Sequence, residues 1–301
     1  MGDFFEDLKK FLVLKRKPTD NMPWGEMEYL VDGGIDRFVE FVNKLNNYTY
    51  LNLLRQPLFF RGQGDSCWGL EPSLYRLVKG IPLGEALRIE FDAIRYFKQQ
   101  SRSFFRPQMI PKDEDDGEWL AIMQQYGAPT RMLDWTTSFN VALYFTVNDK
   151  PMDKPGAVWF FGPEDLSKVM SQYVDLPEDE GQAIRSNPDK FVKYGEKAPP
   201  QINLHEPKVK SERMVAQQGV FTYCEQLFCD QAKLIGEALL ASSHLSKIVI
   251  GPQAKKQMRE YLNKLNITAA VLFPGVEGLG RAISEMITVH REVFYSGGLK
   301  V

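Results

Sequence analysis

Residues 125–145 form the most chemically distinctive stretch of this chain. Within it, residues 130–138 bring together a guanidinium, a carboxylate, an indole and several hydroxyl groups. Side chains of these types can bind an anionic ligand or a sugar, because Arg forms paired hydrogen bonds with phosphate or carboxylate. Gly127 and Pro129 precede these residues and predict a turn. The pattern therefore predicts a polar binding loop, held in place by the apolar helix that follows it.

Each polar residue of this stretch has a structural alternative. Arg131 and Asp134 are three residues apart, so they could pair with each other or form the wall of a binding site. Trp135 could stack on a base or a nicotinamide ring, or it could fill the core. The hydroxyl groups of Thr136 and Ser138 could bind a ribose, although Ser138 is also a favourable N-cap for the following helix.

A second motif lies at the end of a predicted buried strand, where Arg61 and Gly62 follow two phenylalanines. The guanidinium of Arg61 suits a carboxylate or a diphosphate, and a glycine beside it would let a ligand approach closely. The alternative is that Arg61 is structural and pairs with a carboxylate such as Asp134.

A third motif contains Arg213 and Gln217, just before another predicted strand. The amide of Gln217 can form hydrogen bonds and orient a substrate, but it cannot ionise. Gln217 therefore cannot act as a base or stabilise a cation by its charge.

The composition excludes several classes of protein. With 301 residues, 44% hydrophobic and 25% charged, the chain is typical of a globular protein, and its net charge of −2 gives no argument for general nucleic-acid binding. Three cysteines and three histidines are too few and too scattered to predict a metal site or a disulfide framework. The sequence has no apolar run of the ~18 residues that a membrane helix needs. We expect a cytoplasmic protein that has no metal and does not bind membranes.

The order of the elements predicts an α+β fold with a mixed sheet and a helix-rich N-terminal half. A helix is predicted over residues 3–15, and residues 171–200 read as a long excursion or flexible insertion. The end of the chain predicts a βαβα unit with parallel pairing, made of strands over 247–250 and 268–273 and helices over 252–265 and 276–290. The expected division is an N-terminal helical extension over 1–50, a main domain over 51–290 and a tail over 291–301.

Three segments together resemble the FRG domain, which is named after its Phe-Arg-Gly motif. They are Phe60-Arg-Gly-Gln63, the run Gln125-Tyr-Gly-Ala-Pro-Thr-Arg-Met-Leu-Asp-Trp-Thr136, and Arg213-Met-Val-Ala-Gln-Gln-Gly-Val-Phe221. Phe273-Pro-Gly-Val-Glu-Gly-Leu279 resembles the closing segment of that family, so the resemblance extends from about residue 57 to about residue 287. Gln125 departs from the family, which often has His at this position.

A more distant resemblance is to ADP-ribosyltransferases, and it implies an ADP-ribosyltransferase-like core with NAD as substrate. In that family the Arg of an aromatic-Arg-Gly strand end holds the NAD diphosphate or ribose, a Ser/Thr-x-Ser segment positions the nicotinamide ribose, and a Glu stabilises the ribosyl centre. The matching residues here would be Arg61, Ser138 and Gln217, which we predict as the catalytic residues. Gln217 departs from the family's Glu and would lose its electrostatic contribution.

The resemblances together predict a nucleotide pocket. Its expected substrate-binding residues are Gly62, Gln63, Tyr126, Thr130, Arg131, Asp134, Trp135, Thr136 and Arg213. The implied activity is ADP-ribosyl transfer to a protein or nucleic-acid acceptor, or NAD hydrolysis, in a bacterial toxin or anti-phage effector. One alternative is a non-catalytic module that binds a nucleotide or a nucleic-acid end. Another is that the motifs form a buried polar network that only fixes the fold.

Overall fold

The computed structural model describes residues 11–16, 24–29, 34–52, 58–149, 151–162, 184, 186–198, 200–239 and 245–296. These residues form eight strands and eleven α-helices. The strands are β1 (Leu12–Arg16), β2 (Trp24–Tyr29), β3 (Phe59–Gln63), β4 (Met132–Thr136), β5 (Gly156–Phe161), β6 (Ile202–His205), β7 (Gly219–Cys224) and β8 (Leu245–Ile250). The helices are α1 (Gly34–Asn52), α2 (Ser73–Val78), α3 (Leu83–Ser101), α4 (Asp116–Gln125), α5 (Phe139–Asn148), α6 (Pro188–Lys197), α7 (Glu212–Gln217), α8 (Gln231–Leu239), α9 (Pro252–Lys264), α10 (Ala269–Leu272) and α11 (Val276–Ser296).

All eight described strands belong to one sheet, in the order β1-β2-β8-β5-β3-β4-β7-β6. Each neighbouring pair among β8, β5, β3, β4, β7 and β6 is antiparallel. Strand β2 lies parallel to β8, and β1 lies antiparallel to β2. The predicted α+β class with a mixed sheet is therefore confirmed.

Side chains alternate between the two faces of this sheet and build two separate cores. On one face Phe60 and Phe160 pack against α5 and α9. On the other face Trp135, Trp159 and Phe161 form a second buried cluster. Helix α5 is buried on nearly all sides, and it is the apolar helix that the sequence predicts behind residues 130–138.

A close contact between β3 and α5 explains why residue 62 is a glycine. A Cβ atom at Gly62 would lie 1.8 Å from the carbonyl oxygen of Ala142 and 2.7 Å from Oγ1 of Thr146. The backbones of strand and helix therefore approach each other so closely that only glycine fits. The glycine is needed for helix packing, whether or not a ligand also lies against it.

The predicted loop over residues 130–138 is wrong in its central part, because residues 132–136 form strand β4. Met132, Leu133 and Trp135 are buried, whereas Asp134 between them is exposed. Strand β4 pairs antiparallel with β7 from Met132 to Thr136. The polar composition of this segment is typical of a loop. The segment forms a strand because it pairs with β7, which lies far away in the sequence.

Two other sequence-based assignments are wrong. Residues 12–15 of the predicted N-terminal helix belong to strand β1, which pairs with β2; residues 1–10 lie outside the described residues. In the predicted βαβα unit, β8 and α9 form as expected, but residues 269–272 form helix α10 instead of a strand. The parallel partner of β8 is β2, so no parallel pair forms within the C-terminal unit. Short apolar runs such as 268–273 do not distinguish strand from helix by their pattern.

Within residues 171–200, Pro188–Lys197 forms helix α6, which packs against α3 through Phe91 and Phe191, whose ring centroids are 5.4 Å apart. Residues 163–183 lie outside the described residues. Among the described helices, none combines the length and apolar character needed to cross a bilayer.

We expect Gly62→Ala to lower the free energy of unfolding by at least about 3 kcal/mol, because the new methyl group must push α5 away from β3. The measurement is urea denaturation of the variant beside the wild type. Gly280→Ala is the control, because a Cβ there would meet no atom within 4 Å and should stabilise α11 by about 0.5–1 kcal/mol. A Gly62→Ala protein as stable as the wild type would contradict the packing argument.

Candidate functional site

A cavity of about 230 Å³ lies beside the junction of β3, β4 and β7. Its lining includes three arginines, Arg61 from β3, Arg213 from α7 and Arg281 from α11. The carboxylates of Asp134 and Asp149 also lie in its wall. Residues from distant parts of the sequence thus form one concave and predominantly cationic site.

Arg61 follows the only registered pair between β3 and β4 in the described part of the chain. These strands are registered at a single pair, Phe60 with Thr136, and the Arg61 guanidinium bonds to the neighbouring backbone of β4. Its Nη1 donates to the carbonyl oxygen of Asp134 at 2.7 Å, and the same nitrogen lies 3.7 Å from Oδ2 of the Asp134 carboxylate. Its buried Nε has no hydrogen-bond partner among the described residues. Arg61 is therefore anchored through one nitrogen and keeps donors for a ligand.

The electrostatic environment of Arg61 explains why an anion would be favourable there. Burial lowers the pKa of the Arg61 guanidinium, and the Asp134 carboxylate opposes this effect. Arginine nonetheless stays protonated at neutral pH, because its ordinary pKa is so high. A partly desolvated cation with an unsatisfied donor gains free energy when an anionic acceptor binds beside it.

A chain of hydrogen bonds fixes the carboxylate of Asp134. Nε2 of Gln124 donates to Oδ2 of Asp134 at 2.8 Å, and the buried Thr130 hydroxyl donates to Oε1 of Gln124 at 2.7 Å. The same Thr130 oxygen accepts from the backbone N–H of Met132 at 3.0 Å. Thr130 itself is not among the residues that line the cavity, so in this structure it positions the site indirectly.

Phe273 lies between two of the arginines at the rim. The guanidinium carbon of Arg213 is 4.6 Å from the ring centroid of Phe273, and that of Arg281 is 4.2 Å from it. Arg281 also donates through Nε and Nη2 to one carboxylate oxygen of Glu277, at 3.0 and 2.7 Å. Burial lowers the pKa of Arg213, and the negative charges of Asp134 and Glu277 oppose this effect. Each guanidinium–ring contact is attractive, whereas the two cations repel each other, and the charge of Arg281 also lowers the pKa of Arg213.

Gln217 and Thr136 join three elements at the base of the cavity. Nε2 of Gln217 donates to the carbonyl oxygen of Leu272 at 2.9 Å, which connects α7 to α10. The backbone carbonyl of Gln217 accepts from the Thr136 hydroxyl at 2.7 Å. That hydroxyl also accepts from the backbone N–H of Ser138 at 3.0 Å. Both residues line the cavity and at the same time hold its walls together.

Arg131 lies away from this cavity and forms a buried ion pair with Glu90. Its Nε donates to Oε1 of Glu90 at 2.7 Å, and its Nη2 donates to the other oxygen of that carboxylate. Its Nη1 donates to the backbone carbonyls of Cys224 and Glu225. Burial alone would lower the pKa of Arg131, but the Glu90 charge and hydrogen bonds raise it above its ordinary value. The possibility that Arg131 pairs with Asp134 is therefore wrong.

Two further predicted site residues are built into the second core. The Trp135 indole is 2% exposed, packs edge-to-face on Phe161 and donates to the Thr222 hydroxyl at 2.8 Å. Gln63 is also buried; it accepts from the Trp159 indole at 2.8 Å and donates to the carbonyl oxygen of Gly69 at 2.9 Å. Gln63 lies outside the lining of the first cavity, whereas Trp135 belongs to that lining although its indole N–H is already engaged.

Tyr126 and Ser138 lie outside the cavity lining. Tyr126 is 62% exposed and its ring contacts that of Phe105. Ser138 is the N-cap of α5, where its hydroxyl accepts from the backbone N–H of Val141 at 3.4 Å. The expectation that Ser138 caps the helix is confirmed, whereas its role with a ribose stays a prediction.

Sequence reasoning missed Phe273 and Arg281 as site residues. Phe273 ends a segment that the sequence predicts as a strand. Arg281 stands two residues beyond Leu279, the last residue of the segment that resembles the closing segment of the FRG domain. Regular spacing of charge along α11, with Glu277, Arg281 and Glu285 four residues apart, was the one available signal. Such spacing is usually a solvated helix face, so it does not by itself indicate a site.

The chemistry of the lining is suited to a phosphorylated ligand. Guanidinium groups bind phosphate oxygens through paired hydrogen bonds, and an aromatic ring beside them can contact a base or a ribose. Among the described residues, no group of three or more His, Cys, Asp or Glu side chains could hold a metal ion. The arginine side chains of the lining offer N–H donors to an anion.

Comparison with known families identifies part of the chain. The family model of the FRG domain matches residues 56–154, about a third of the chain. The match includes β3, β4 and α5, but it ends before Arg213 and Gln217. Comparison with curated proteins and comparison with solved structures gave no match. The FRG resemblance is confirmed, and the resemblance to ADP-ribosyltransferases stays a prediction.

We expect Arg131→Ala to lower the free energy of unfolding by about 3–5 kcal/mol, because it leaves the buried Glu90 carboxylate without its partner. Arg61→Ala should cost no more than about 1–2 kcal/mol, since the Asp134 side chain is 58% exposed and water can solvate it. Urea denaturation of both variants measures the difference. Equal losses of stability would mean that Arg61, like Arg131, serves mainly to hold the fold.

Proposed function

The chain contains an FRG domain over residues 56–154, and we propose that it binds an NAD-type nucleotide in the cavity of Arg61, Arg213 and Arg281 and cleaves the nicotinamide–ribose bond. The observation that carries the proposal is the convergence of these guanidinium groups, from three separate elements, on one concave site. A purely structural arginine cluster would be expected to have carboxylate partners for each cation. Here the carboxylate nearest to Arg61, that of Asp134, lies 3.7 Å away, and the buried Nε of Arg61 has no partner among the described residues.

The phosphate groups would bind first to Arg61. Its Nε lacks a partner among the described residues, and its guanidinium can present two parallel N–H groups to phosphate oxygens. Arg213 and Arg281 flank Phe273 on the other side of the cavity and add positive charge. Gln124 holds the Asp134 carboxylate, whose Oδ2 lies 3.7 Å from Nη1 of Arg61, so the phosphate would bind at the other N–H groups of this guanidinium.

The chemical step would be a substitution at the ribose. A nucleophile, water or an acceptor group, forms a bond to C1′ and releases a proton to solvent, while the C1′–N bond to nicotinamide breaks. The electron pair of that bond leaves with nicotinamide and neutralises its positively charged ring. The ribosyl centre carries positive charge during this step, so a carboxylate beside it lowers the barrier. Asp134 is the residue we propose for this role, because Gln217 is neutral.

Gln217 would orient the ribose in this reaction. Its Nε2 donor is engaged by the carbonyl oxygen of Leu272, so the side-chain carbonyl oxygen is the group that can accept from a ribose hydroxyl. Hydrolysis would deplete NAD, and transfer would modify a protein or nucleic acid. Either outcome would suit a toxin or an anti-phage effector, the role that the resemblances imply.

The second candidate function is nucleotide binding without turnover. The neutral Gln217, at the position where ADP-ribosyltransferases carry Glu, favours it, because the electrostatic contribution of that Glu is absent. In this case the chain would bind the nucleotide, or a phosphorylated nucleic-acid end, and report it to a partner.

The test is to measure binding of NAD and of pyrophosphate by calorimetry, and release of nicotinamide by chromatography. We expect the wild type to bind both ligands and to release nicotinamide. Arg61→Ala should bind each ligand at least about tenfold more weakly, because a charge-assisted bidentate contact is lost. Arg61→Lys should recover part of the affinity through its charge alone.

Arg88→Ala is the matched control, because Arg88 is a surface arginine of α3 that pairs with Asp189. It should bind and react like the wild type. Binding without release of nicotinamide would exclude the cleavage step and leave the second candidate. If neither NAD nor pyrophosphate binds to the folded wild type, the proposal itself is wrong.

A further inference from the structure

A second cavity of about 220 Å³ adjoins the one described above. The two cavities share four lining residues, Phe145, Asp149, Phe273 and Arg281. The two cavities are therefore adjacent, and Arg281 is one of the four residues at their boundary. A ligand bound in one cavity can extend past Arg281 into the other.

The sizes of the cavities indicate a ligand with two parts. Sites for ligands of the size of a drug or cofactor typically have volumes of about 300–1,000 Å³. Each of these cavities alone, about 230 and about 220 Å³, is smaller than this range. The two together fall within it, so a dinucleotide would need both.

The second cavity has its own set of polar groups. The Tyr144 hydroxyl donates to a carboxylate oxygen of Glu285, and burial together with this hydrogen bond raises the pKa of Tyr144, so the hydroxyl keeps its proton. Ser284 and Thr288 also line the cavity. The Arg259 guanidinium, which is buried, donates to the carbonyl oxygen of Val147 at 2.9 Å, so it is used largely to support the wall.

Glu285 is the residue of this cavity that can recognise a ribose. Tyr144 orients its carboxylate, and its second oxygen has no hydrogen-bond partner among the described residues. An ionised carboxylate only accepts hydrogen bonds, so the two adjacent hydroxyls of a ribose are complementary to it. A phosphate on the 2′-oxygen would instead be repelled by the negative charge.

We infer that the second cavity is a subsite for the second nucleoside of a dinucleotide, in which Glu285 binds the unmodified ribose diol and Arg281 holds the diphosphate between the two cavities. The inference rests on the proposed function and adds a specificity to it. The adenosine half of NAD occupies the second cavity, and NAD is preferred over NADP. Arg281 is well placed for this, because its ion pair with Glu277 is half exposed and leaves other N–H groups of the guanidinium for phosphate.

The experiment compares the affinities of NAD, NADP and nicotinamide mononucleotide for the wild type by calorimetry. We expect NAD to bind at least about tenfold more tightly than the other two, because the mononucleotide cannot fill the second cavity and the 2′-phosphate meets Glu285. These wild-type measurements need no variant and already test the inference.

Three variants then assign the effect to residues. Glu285→Gln should remove most of the preference for NAD over NADP, and Tyr144→Phe should reduce it because the carboxylate loses its orienting donor. Glu260→Gln is the control, because it removes the same charge from an exposed position on α9 outside both cavity linings, and it should keep the preference. Thermal melts check that each variant is folded.

The outcomes separate this inference from the proposed function. If NAD binds but the mononucleotide binds equally well, or NADP binds as tightly as NAD, the second subsite is wrong while the first cavity keeps its role. If folded Glu285→Gln discriminates against NADP like the wild type, Glu285 is not the selective residue and the inference fails. Absence of any binding of NAD and pyrophosphate to the wild type overturns both.

Discussion

The contact of α5 with β3 at Gly62 is the constraint on which the candidate site depends. A side chain at residue 62 would overlap the backbone of α5, so the strand and the helix can approach only as they do here. The contact sets the position of Arg61, the residue before Gly62, relative to Phe145 and Asp149 at the C-terminal end of α5. These three residues belong to the wall of the first cavity, so one requirement of packing also sets its geometry.

The two arginines of the FRG motifs differ in how fully their N–H groups are satisfied within the protein. Arg131 is enclosed with Glu90 and satisfied by a carboxylate and two carbonyls, so its binding capacity is used within the protein. Arg61 has one backbone acceptor and a distant carboxylate, and its side chain is 18% exposed. The two side chains are similarly buried, 10% and 18% exposed, but Arg131 is satisfied within the protein and Arg61 is not fully satisfied by the described residues.

The site also depends on a part of the chain beyond the FRG match. Arg213, Phe273 and Arg281 come from α7, the segment after α10, and α11, and Gln217 connects the first two of these elements through Leu272. The matched residues supply Arg61 and Asp134, whereas the later residues close the cavity over them.

The sequence alone predicts the elements with strong local patterns, namely β3, α5, β8, α9 and α11, and the cap at Ser138. It also identified Arg61, Asp134, Thr136, Arg213 and Gln217, all of which line the first cavity. The sequence does not show that residues 132–136 form a central strand or that Trp135 packs in the second core. It also does not show that Arg281 and Phe273 line the first cavity. A strand forms only where its backbone has hydrogen-bonding partners, and a buried charge is stable only beside a counter-charge. For β4 and Arg131 those partners, β7 and Glu90, lie far away along the chain, where no local pattern can indicate them.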